Sequence, residues 1–332
     1  MMSRYLGRLP EGDPLHSYLQ SLVAAVYGAA TASAQYRVFQ FADSRDVYLY
    51  QEVHSGARLV GKFFRSSDPA HARWKGETEF NNLTFLRSIG FDSGPHYVVR
   101  PYGFNPGIDH VLVTEYLEGE LLSALIQRAL YCGKGERLFQ KLSALAHFLA
   151  ELHNRTAGDG AVDFGPSHGY FLQLVATLGC KWSIRPELAE QLRQLGWRWH
   201  ETDAMWQDRS VAVHGDMTPA NVLFGRGQEV MAIDLERMKW ADRVFDLGRL
   251  CGELKHHFFR ATADPMAAEP FIGHFMWEYC RHFPDPECAF HAVTRRLPFY
   301  LGLTLLRIAR NSWIDRDYRR RLLSEAVANL RG

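Results

Sequence analysis

Cysteine patterns that mark disulfide frameworks or zinc sites are absent from this sequence. Its 332 residues include only five cysteines, and no two have the spacing CxxC. An odd number of scattered cysteines is typical of free thiols in a reducing compartment. We therefore expect a cytoplasmic protein.

Charge of one sign and long hydrophobic runs are also scarce. The formal net charge is +1, so no overall basic excess indicates a nucleic-acid partner. The apolar residues 297–306 end at Arg307 and are too few to span a bilayer. Residues 1–14 lack the apolar core of a signal peptide. We expect neither nucleic-acid binding nor membrane insertion, and the oligomeric state is left open.

What the sequence does contain is a change of hydrophobic period along the chain. A chain of 332 residues is longer than a single hydrophobic core usually supports, so two lobes are expected. In the first part, short segments rich in aromatic and β-branched residues are separated by turn residues, as in antiparallel strands. In the second part, apolar residues mostly recur at helical spacing. We therefore expect an α+β fold. The predicted lobes are residues 1–117, a small antiparallel sheet with a few helices, and residues 118–332, larger and mainly helical. The predicted helices are 14–28, 77–89, 120–130, 136–154, 168–180, 186–206, 242–260, 268–282, 288–313 and 315–330, and the predicted strands are 36–41, 47–53, 58–64, 97–102, 110–116, 221–225 and 229–234.

One segment of the helical part carries an unusual polar pattern. Residues 214–224 read HGDMTPANVLF, with Asp216 two residues after His214 and Asn221 five residues after Asp216. Asp234 follows thirteen residues after Asn221, at the end of the second predicted strand. A hairpin would bring Asn221 beside Asp234, and such hard oxygen ligands suit Mg²⁺. Asp216 could then accept a proton from a hydroxyl, and we expect His214 to fix the loop by a hydrogen bond.

Turn formation is the simpler explanation for any one of these residues, because Asp, Asn and Pro are common in loops. The complete pattern nevertheless resembles the catalytic loop and metal-binding segment of the aminoglycoside phosphotransferase and choline kinase-like family. The resemblance implies a protein-kinase-like two-lobe fold and transfer of the γ-phosphoryl group of ATP. Asp216 would be the catalytic base, and Asn221 and Asp234 would hold Mg²⁺.

A cation for the nucleotide phosphates is expected in the first lobe. Lys62 lies in the apolar segment LVGKFF, where a lysine is costly unless it is paired or faces outward on an edge strand. Glu77 and Glu79 on the following helix are both candidate partners. The family's spacing favours Glu79.

The resemblance also implies where the nucleotide binds. Residues 113–119 (VTEYLEG) resemble the family's hinge, where backbone groups of Glu115 and Leu117 would contact the adenine. The first turn, residues 39–48, contains no glycine, unlike the Gly-rich loop of protein kinases. In its place, Ser44 and its backbone would cover the phosphates.

The residues after Asp234 favour a small-molecule acceptor over a protein. Leu235 and Glu236 replace the Phe-Gly of protein kinases, and Asp246 follows only twelve residues after Asp234. We expect Asp246 to cap its helix and brace the catalytic loop. Glu236 is a candidate acceptor-binding residue.

The sequence thus predicts an ATP- and Mg²⁺-dependent kinase acting on a hydroxyl of an amino alcohol, a sugar or an aminoglycoside-like molecule. A nucleotide-binding module without catalytic activity is the alternative, and a protein kinase is a further one.

Overall fold

The structure is a computed structural model that describes residues 3–28, 34–41 and 46–332. The strands are β1 (Ser3–Arg8), β2 (Tyr36–Phe41), β3 (Val47–Glu52), β4 (Arg58–Phe63), β5 (Asp92–Ser93), β6 (His96–Val98), β7 (Pro101–Asn105), β8 (Val111–Glu115), β9 (Glu120–Leu121), β10 (Val211–Val213), β11 (Val222–Phe224), β12 (Val230–Ala232) and β13 (Lys239–Ala241). The helices are α1 (Pro14–Tyr27), α2 (Pro69–Ser88), α3 (Leu122–Cys132), α4 (Gly135–Arg155), α5 (Gly165–Trp182), α6 (Pro186–His200), α7 (Val244–Thr262), α8 (Glu269–Cys280), α9 (Pro286–Thr294), α10 (Leu297–Ala309) and α11 (Arg316–Arg331), with a 3₁₀ turn at Asp203–Met205.

These elements form two compact units. Unit 1 comprises residues 1–119 and 231–236, and unit 2 comprises residues 120–230 and 237–332. Unit 1 is built on an antiparallel sheet, and unit 2 is mainly helical. Within the described residues, no helix is both long and apolar enough to cross a membrane.

The sheet of unit 1 has the strand order β1-β2-β3-β4-β8-β7. Strand β4 is central, pairing with β3 and β8, so that Lys62 lies opposite Val47 and Leu112. Side chains alternate between the two faces of a strand. Leu59 therefore lies on the face that packs against α1 in the apolar core, whereas Lys62 lies on the opposite face, towards α2.

Helix α2 begins eight residues earlier than the predicted 77–89. Asp68 accepts a hydrogen bond from the backbone N–H of Ala70, and Pro69 occupies the first turn. This combination of an N-cap Asp and Pro at the first helical position is a standard helix start. The buried face follows a helical period, and Glu79 is its only charged member; the face comprises Ala72, Gly76, Glu79, Leu83 and Leu86.

Several short strands were missed, and two predicted helices were too long. The predicted helix 186–206 ends as α6 at His200, followed by the separate 3₁₀ turn. β1 is a mostly polar edge strand, and β9, β10 and β13 have two or three residues each, too few for a period to show. The predicted helix 288–313 is divided into α9 and α10, because Pro298 in the first turn of α10 cannot continue a helix from before it. The predicted 97–102 strand is likewise two strands, β6 and β7, with Pro101 starting the second.

Helices α7 and α10 of unit 2 approach each other closely at two glycines. A Cβ added at Gly248 would lie 2.3 Å from Cβ of Tyr300, and one added at Gly252 would lie 2.5 Å from Cγ2 of Thr304. Glycine at these two positions, one turn apart on α7, therefore allows the two helices to pack at this distance.

We predict that Gly248→Ala lowers the free energy of unfolding by about 1–3 kcal/mol, because the added methyl overlaps α10. The matched control is Gly273→Ala in α8, where a Cβ meets nothing within 4 Å. That change should raise stability by about 0.5–1 kcal/mol through helix propensity. Urea unfolding measures both, and a stabilising Gly248→Ala would contradict the close packing.

Candidate active site

The loop between β10 and β11 is held by one buried carboxylate. Asp246 on α7 accepts hydrogen bonds from the backbone N–H groups of His214 at 2.6 Å and Gly215 at 3.0 Å, one on each carboxylate oxygen. Nε2 of His153 on α4 lies 3.5 Å from the same carboxylate, and its Nδ1 accepts from the Tyr279 hydroxyl at 2.9 Å. Because a carboxylate only accepts, His153 carries its proton on Nε2.

Asp246 does not cap its own helix, so that part of the expectation was wrong. Helix α7 begins at Val244, and its N-cap residue is Arg243, which places Asp246 inside the first turn. Burial alone would raise the pKa of Asp246, but the hydrogen bonds from His153 and from the loop outweigh burial and lower it.

Gly215 is required by the shape of this loop. Its φ is +80°, and a Cβ there would lie 2.0 Å from the carbonyl oxygen of Arg237. No other residue fits this conformation and this distance together. The glycine of HGD therefore excludes the arginine that protein kinases carry at this position.

The remainder of the loop is fixed by its own polar groups. Nδ1 of His214 accepts from the backbone N–H of Asp216 at 3.3 Å. The Asn221 amide nitrogen donates to the Asp216 carbonyl at 2.9 Å, which leaves the Asn221 amide oxygen as the atom able to ligate a cation. The backbone N–H of Thr218 also donates to the Asp216 carbonyl, at 2.7 Å.

The Asp216 carboxylate is surrounded by arginine side chains that the sequence analysis did not identify. Nη2 of Arg307 on α10 donates to Oδ1 of Asp216 at 2.8 Å, and Nη1 of Arg307 donates to Glu253 on α7 at 3.0 Å. Nε of Arg237 lies 4.0 Å from Oδ2 of Asp216. A third arginine, Arg249 on α7, is buried nearby and interacts electrostatically with both Arg307 and Asp216.

A signal for these residues was present in the sequence. Arg307 interrupts an otherwise apolar helix, and a charged residue on a buried helix usually has a specific partner. Asp246, Arg249 and Glu253 follow helical spacing on α7, so they lie along one side of a largely buried helix. Local spacing does not say which of these charges meet.

In unit 1, Lys62 brings together residues that are far apart in the sequence. Its Nζ lies 2.7 Å from Oε2 of Glu79 and 2.7 Å from Oδ1 of Asp234. Glu236 is the third carboxylate, 3.4 Å from the same Nζ. Glu77 instead pairs with Arg73 at 2.7 Å, so the structure places Glu79 and not Glu77 beside Lys62.

This cluster has more negative than positive charge. Burial raises the pKa of Glu79, and the charges of Asp234 and Glu236 add to that effect while Lys62 opposes it. Burial lowers the pKa of Lys62, but the three carboxylates outweigh burial and raise it, so Lys62 stays charged. Carboxylate oxygens of Glu79, Asp234 and Glu236 lie within 4.8 Å of one another, and such hard oxygen donors fit a divalent cation.

Asp234 adopts a backbone conformation that is unusual for its residue type. Its φ is +65°, in the left-handed region that costs a non-glycine residue about 1–2 kcal/mol. Such local strain is found mainly where function requires a particular side-chain direction. Asp234 belongs to unit 1, whereas Asn221 belongs to unit 2; their predicted pairing around a metal stays a prediction.

The remaining predicted residues lie along the end of β8 and beyond. The N–H of Glu115 donates to the carbonyl of Arg100 at 3.0 Å, and its carboxylate accepts from the Tyr97 hydroxyl at 2.6 Å. Its carbonyl accepts from the Thr114 hydroxyl at 3.2 Å, and a carbonyl oxygen can accept a second hydrogen bond, so it remains the candidate adenine contact. Leu117 follows in the irregular stretch after β8. Ser44 lies outside the described residues.

The match to a family of known proteins extends over most of the chain. A family model described as the phosphotransferase enzyme family matches residues 38–283. The chain belongs to this family. Comparison with curated proteins gives no match.

Solved structures show what fold the phosphotransferase has. It is similar to ADP-bound aminoglycoside phosphotransferase APH(2'')-Ib, with TM-score 0.57 and 14% identity over 94% of this chain and 97% of that one. It is also similar to an ethanolamine kinase of Plasmodium vivax, with TM-score 0.60 and 12% identity over 95% of this chain and 89% of that one. For choline kinase LicA of Streptococcus pneumoniae, the TM-score is 0.55 and the identity 16%, over 96% of this chain and 99% of that one. The predicted α+β, protein-kinase-like fold is confirmed, and with its family membership the chain is a small-molecule kinase.

We predict that Asp246→Asn lowers the free energy of unfolding at pH 7 by about 1–3 kcal/mol. Both carboxylate oxygens accept a backbone N–H, so the amide nitrogen of Asn would face one of those donors. The folded-state pKa of Asp246 is lowered. Its stabilisation is therefore complete above an unfolded pKa of about 4 and is lost as the pH falls through the folded pKa.

Urea unfolding of both proteins at pH 7, 5 and 3 measures this difference, which should shrink in acid. The control is Asp163→Asn, because Asp163 accepts from a single backbone N–H, that of Gly165 at 2.9 Å, and the amide oxygen can replace it. Equal stabilities of wild type and Asp246→Asn at pH 7 would contradict the bonding described for the loop.

Proposed function

We propose that this kinase transfers the γ-phosphoryl group of Mg·ATP to a hydroxyl of a small-molecule acceptor. The observation that carries the proposal is the position of Lys62, whose Nζ lies 2.7 Å from both Glu79 and Asp234. A lysine fixed by one carboxylate and adjacent to a second one can hold phosphate oxygens beside a metal-binding carboxylate. Similar structures contain ADP, ATP or GDP, which supports a nucleotide as the phosphoryl donor.

Each part of the chain has a separate task in this proposal. Residues 1–117 form the nucleotide-binding lobe, where Glu79 orients Lys62 and the backbone of Glu115 and Leu117 contacts the adenine. Residues 118–332 form the catalytic and acceptor lobe. Ser44 covers the phosphates. Five free cysteines suit work in the reducing cytoplasm.

The metal would be held by oxygen ligands of this chain. Asp234 supplies a carboxylate and Asn221 an amide oxygen, a sparse set of protein ligands that suits Mg²⁺ because this ion keeps several waters and binds substrate phosphates. When bound, Mg²⁺ neutralises charge on the phosphate oxygens.

The transfer step itself depends on Asp216. The acceptor hydroxyl oxygen attacks the γ-phosphorus, the bond from that phosphorus to the β,γ-bridging oxygen breaks, and ADP leaves. Asp216 orients the hydroxyl and receives its proton. His214 and Asp246 act through the loop: they position the backbone of residues 214–216 by the hydrogen bonds described above. Catalysis is then mainly positioning and charge stabilisation.

We predict that Asp216→Asn lowers kcat by about 10²- to 10⁴-fold, because the amide cannot accept the proton. The measurement is ADP release from Mg·ATP, with GTP in parallel, against alcohols in three charge classes: cationic, neutral and anionic. Nucleotide affinity, measured by isothermal titration with ADP, should change little. Acceptor-dependent ADP release that survives the substitution would exclude Asp216 as the base, and intact nucleotide binding without turnover would favour a binding module.

We also predict that Glu79→Gln lowers kcat/KM for ATP by about ten- to a hundredfold, the effect of losing a charged hydrogen bond. The matched control is Glu77→Gln, two residues away on α2. Glu77 contacts Arg73 on the same helix and is half-exposed, so its loss should change kcat/KM less than twofold. Equal effects of the two substitutions would remove the assigned role of Glu79.

A further inference from the structure

The side chains around Asp216 carry an excess of positive charge. Two carboxylates, Asp216 and Glu253, meet three guanidinium groups, those of Arg307, Arg237 and Arg249. Arg307 contacts both carboxylates directly and neutralises part of their charge. Among these five side chains, the guanidinium groups outnumber the carboxylates beside the group that receives the acceptor hydroxyl. All five residues belong to unit 2.

Arg249 is the buried guanidinium group of this set and is incompletely hydrogen-bonded. It is 3% exposed, and its Nε and Nη1 have no hydrogen-bond partner among the described residues. Its nearest ring contact is Phe245, with the guanidinium carbon 5.6 Å from the ring centre. Burial first, and then the positive charge of Arg307, lower the pKa of Arg249 to about 10. A buried cation with unpaired N–H groups is costly, and an anion bound nearby would relieve this cost.

We propose that the acceptor is a small alcohol that carries an anionic group, a carboxylate or a phosphate. This inference rests on the proposed function, because it concerns what binds beside Asp216. Arg307 binds the anionic group, and the buried Arg249 supplies further positive potential behind it. Asp216 then exchanges its contact with Arg307 for the acceptor hydroxyl.

The geometry limits the size of the acceptor. Nη2 of Arg307 lies 2.8 Å from Oδ1 of Asp216, so one molecule that reaches both groups has its hydroxyl and its anionic group only a few bonds apart. Arginine recognises carboxylate and phosphate through its planar set of donors. An acceptor with an ammonium group in the same place would meet like charges from Arg307 and Arg249, which disfavours it.

The test compares acceptors that differ only in the charged group. The first set is glycerol, glycerate and glycerol 3-phosphate, and the second is ethanolamine and serine, with choline as a fully cationic alcohol. ADP release gives kcat/KM for each one. We expect the anionic members to exceed their neutral or cationic counterparts by about tenfold or more, and the first set tells carboxylate from phosphate.

Variants then assign the preference to residues. Arg307→Gln and Arg249→Met should each reduce the ratio of kcat/KM between anionic and neutral acceptors by about tenfold or more. Because both acceptors are measured on the same variant, a general loss of activity cancels in the ratio. The control is Arg193→Gln, which removes an exposed arginine paired with Glu190 and should leave the ratio unchanged.

The possible results have distinct meanings. Neutral or cationic alcohols that are used as well as the anionic ones, with turnover abolished in Asp216→Asn, overturn this inference and leave the proposed function intact. No ADP release with any charge class overturns the proposed function, and this inference falls with it. An anionic preference that both variants retain also overturns the inference.

A second measurement needs no acceptor. Arg249→Met should leave the melting temperature unchanged or raise it, because methionine fills the site without an unpaired charge. The comparison is Arg319→Met: Arg319 is similarly buried, at 7% exposed, but donates to the carbonyls of Ala309, Asn311 and Ile314. Its loss should lower the melting temperature by several degrees, because three backbone carbonyls lose their donor. An equal decrease for Arg249→Met would make Arg249 structural and overturn its assignment.

Discussion

The carboxylate of Asp246 is the contact on which the loop between β10 and β11 depends. It binds two successive backbone N–H groups of that loop and lies on α7, the helix that packs directly against α10 through Gly248 and Gly252. α7 also carries Arg249 and Glu253, and α10 carries Arg307. The helix pair that fixes the loop backbone therefore also fixes the charges around the Asp216 side chain. A shift of α7 would move the loop, the Asp216 side chain and the arginine cluster together.

The two units carry charge clusters of opposite sign. In unit 1, Lys62 is outnumbered by the carboxylates of Glu79, Asp234 and Glu236, an arrangement suited to a metal ion and a polyphosphate. In unit 2, Asp216 lies among arginines. Solved structures of similar fold include aminoglycoside phosphotransferases and choline and ethanolamine kinases. We propose that the charge beside Asp216 selects the acceptor of this chain within that fold.

Much of the fold could be predicted because the local preferences of the sequence agree with the secondary structure that forms. Strands β2, β3 and β4 were found within one residue of their ends, since aromatic and β-branched residues alternate there and turn residues separate them. The predicted helices and strands were wrong where the local sequence signal for an element was weak or was obscured by a neighbouring residue. β1 is a polar edge strand, β10 and β13 have three residues each, and Gly76 obscured the start of α2, whose real signal was Asp68 followed by Pro69.

The sequence by itself determined the spacing of His214, Asp216, Asn221 and Asp234, and with it the family, the kinase-like fold and the choice of a small-molecule acceptor. The requirement for glycine at position 215, whose backbone conformation lies beside the Arg237 carbonyl, came from the structure. The tertiary structure alone decided which charges meet. Arg307 lies 91 residues from Asp216 and 54 from Glu253, and no local period relates positions so far apart. Contacts of this kind are fixed by helix packing, so the positive surroundings of Asp216 could be recognised only in the folded chain.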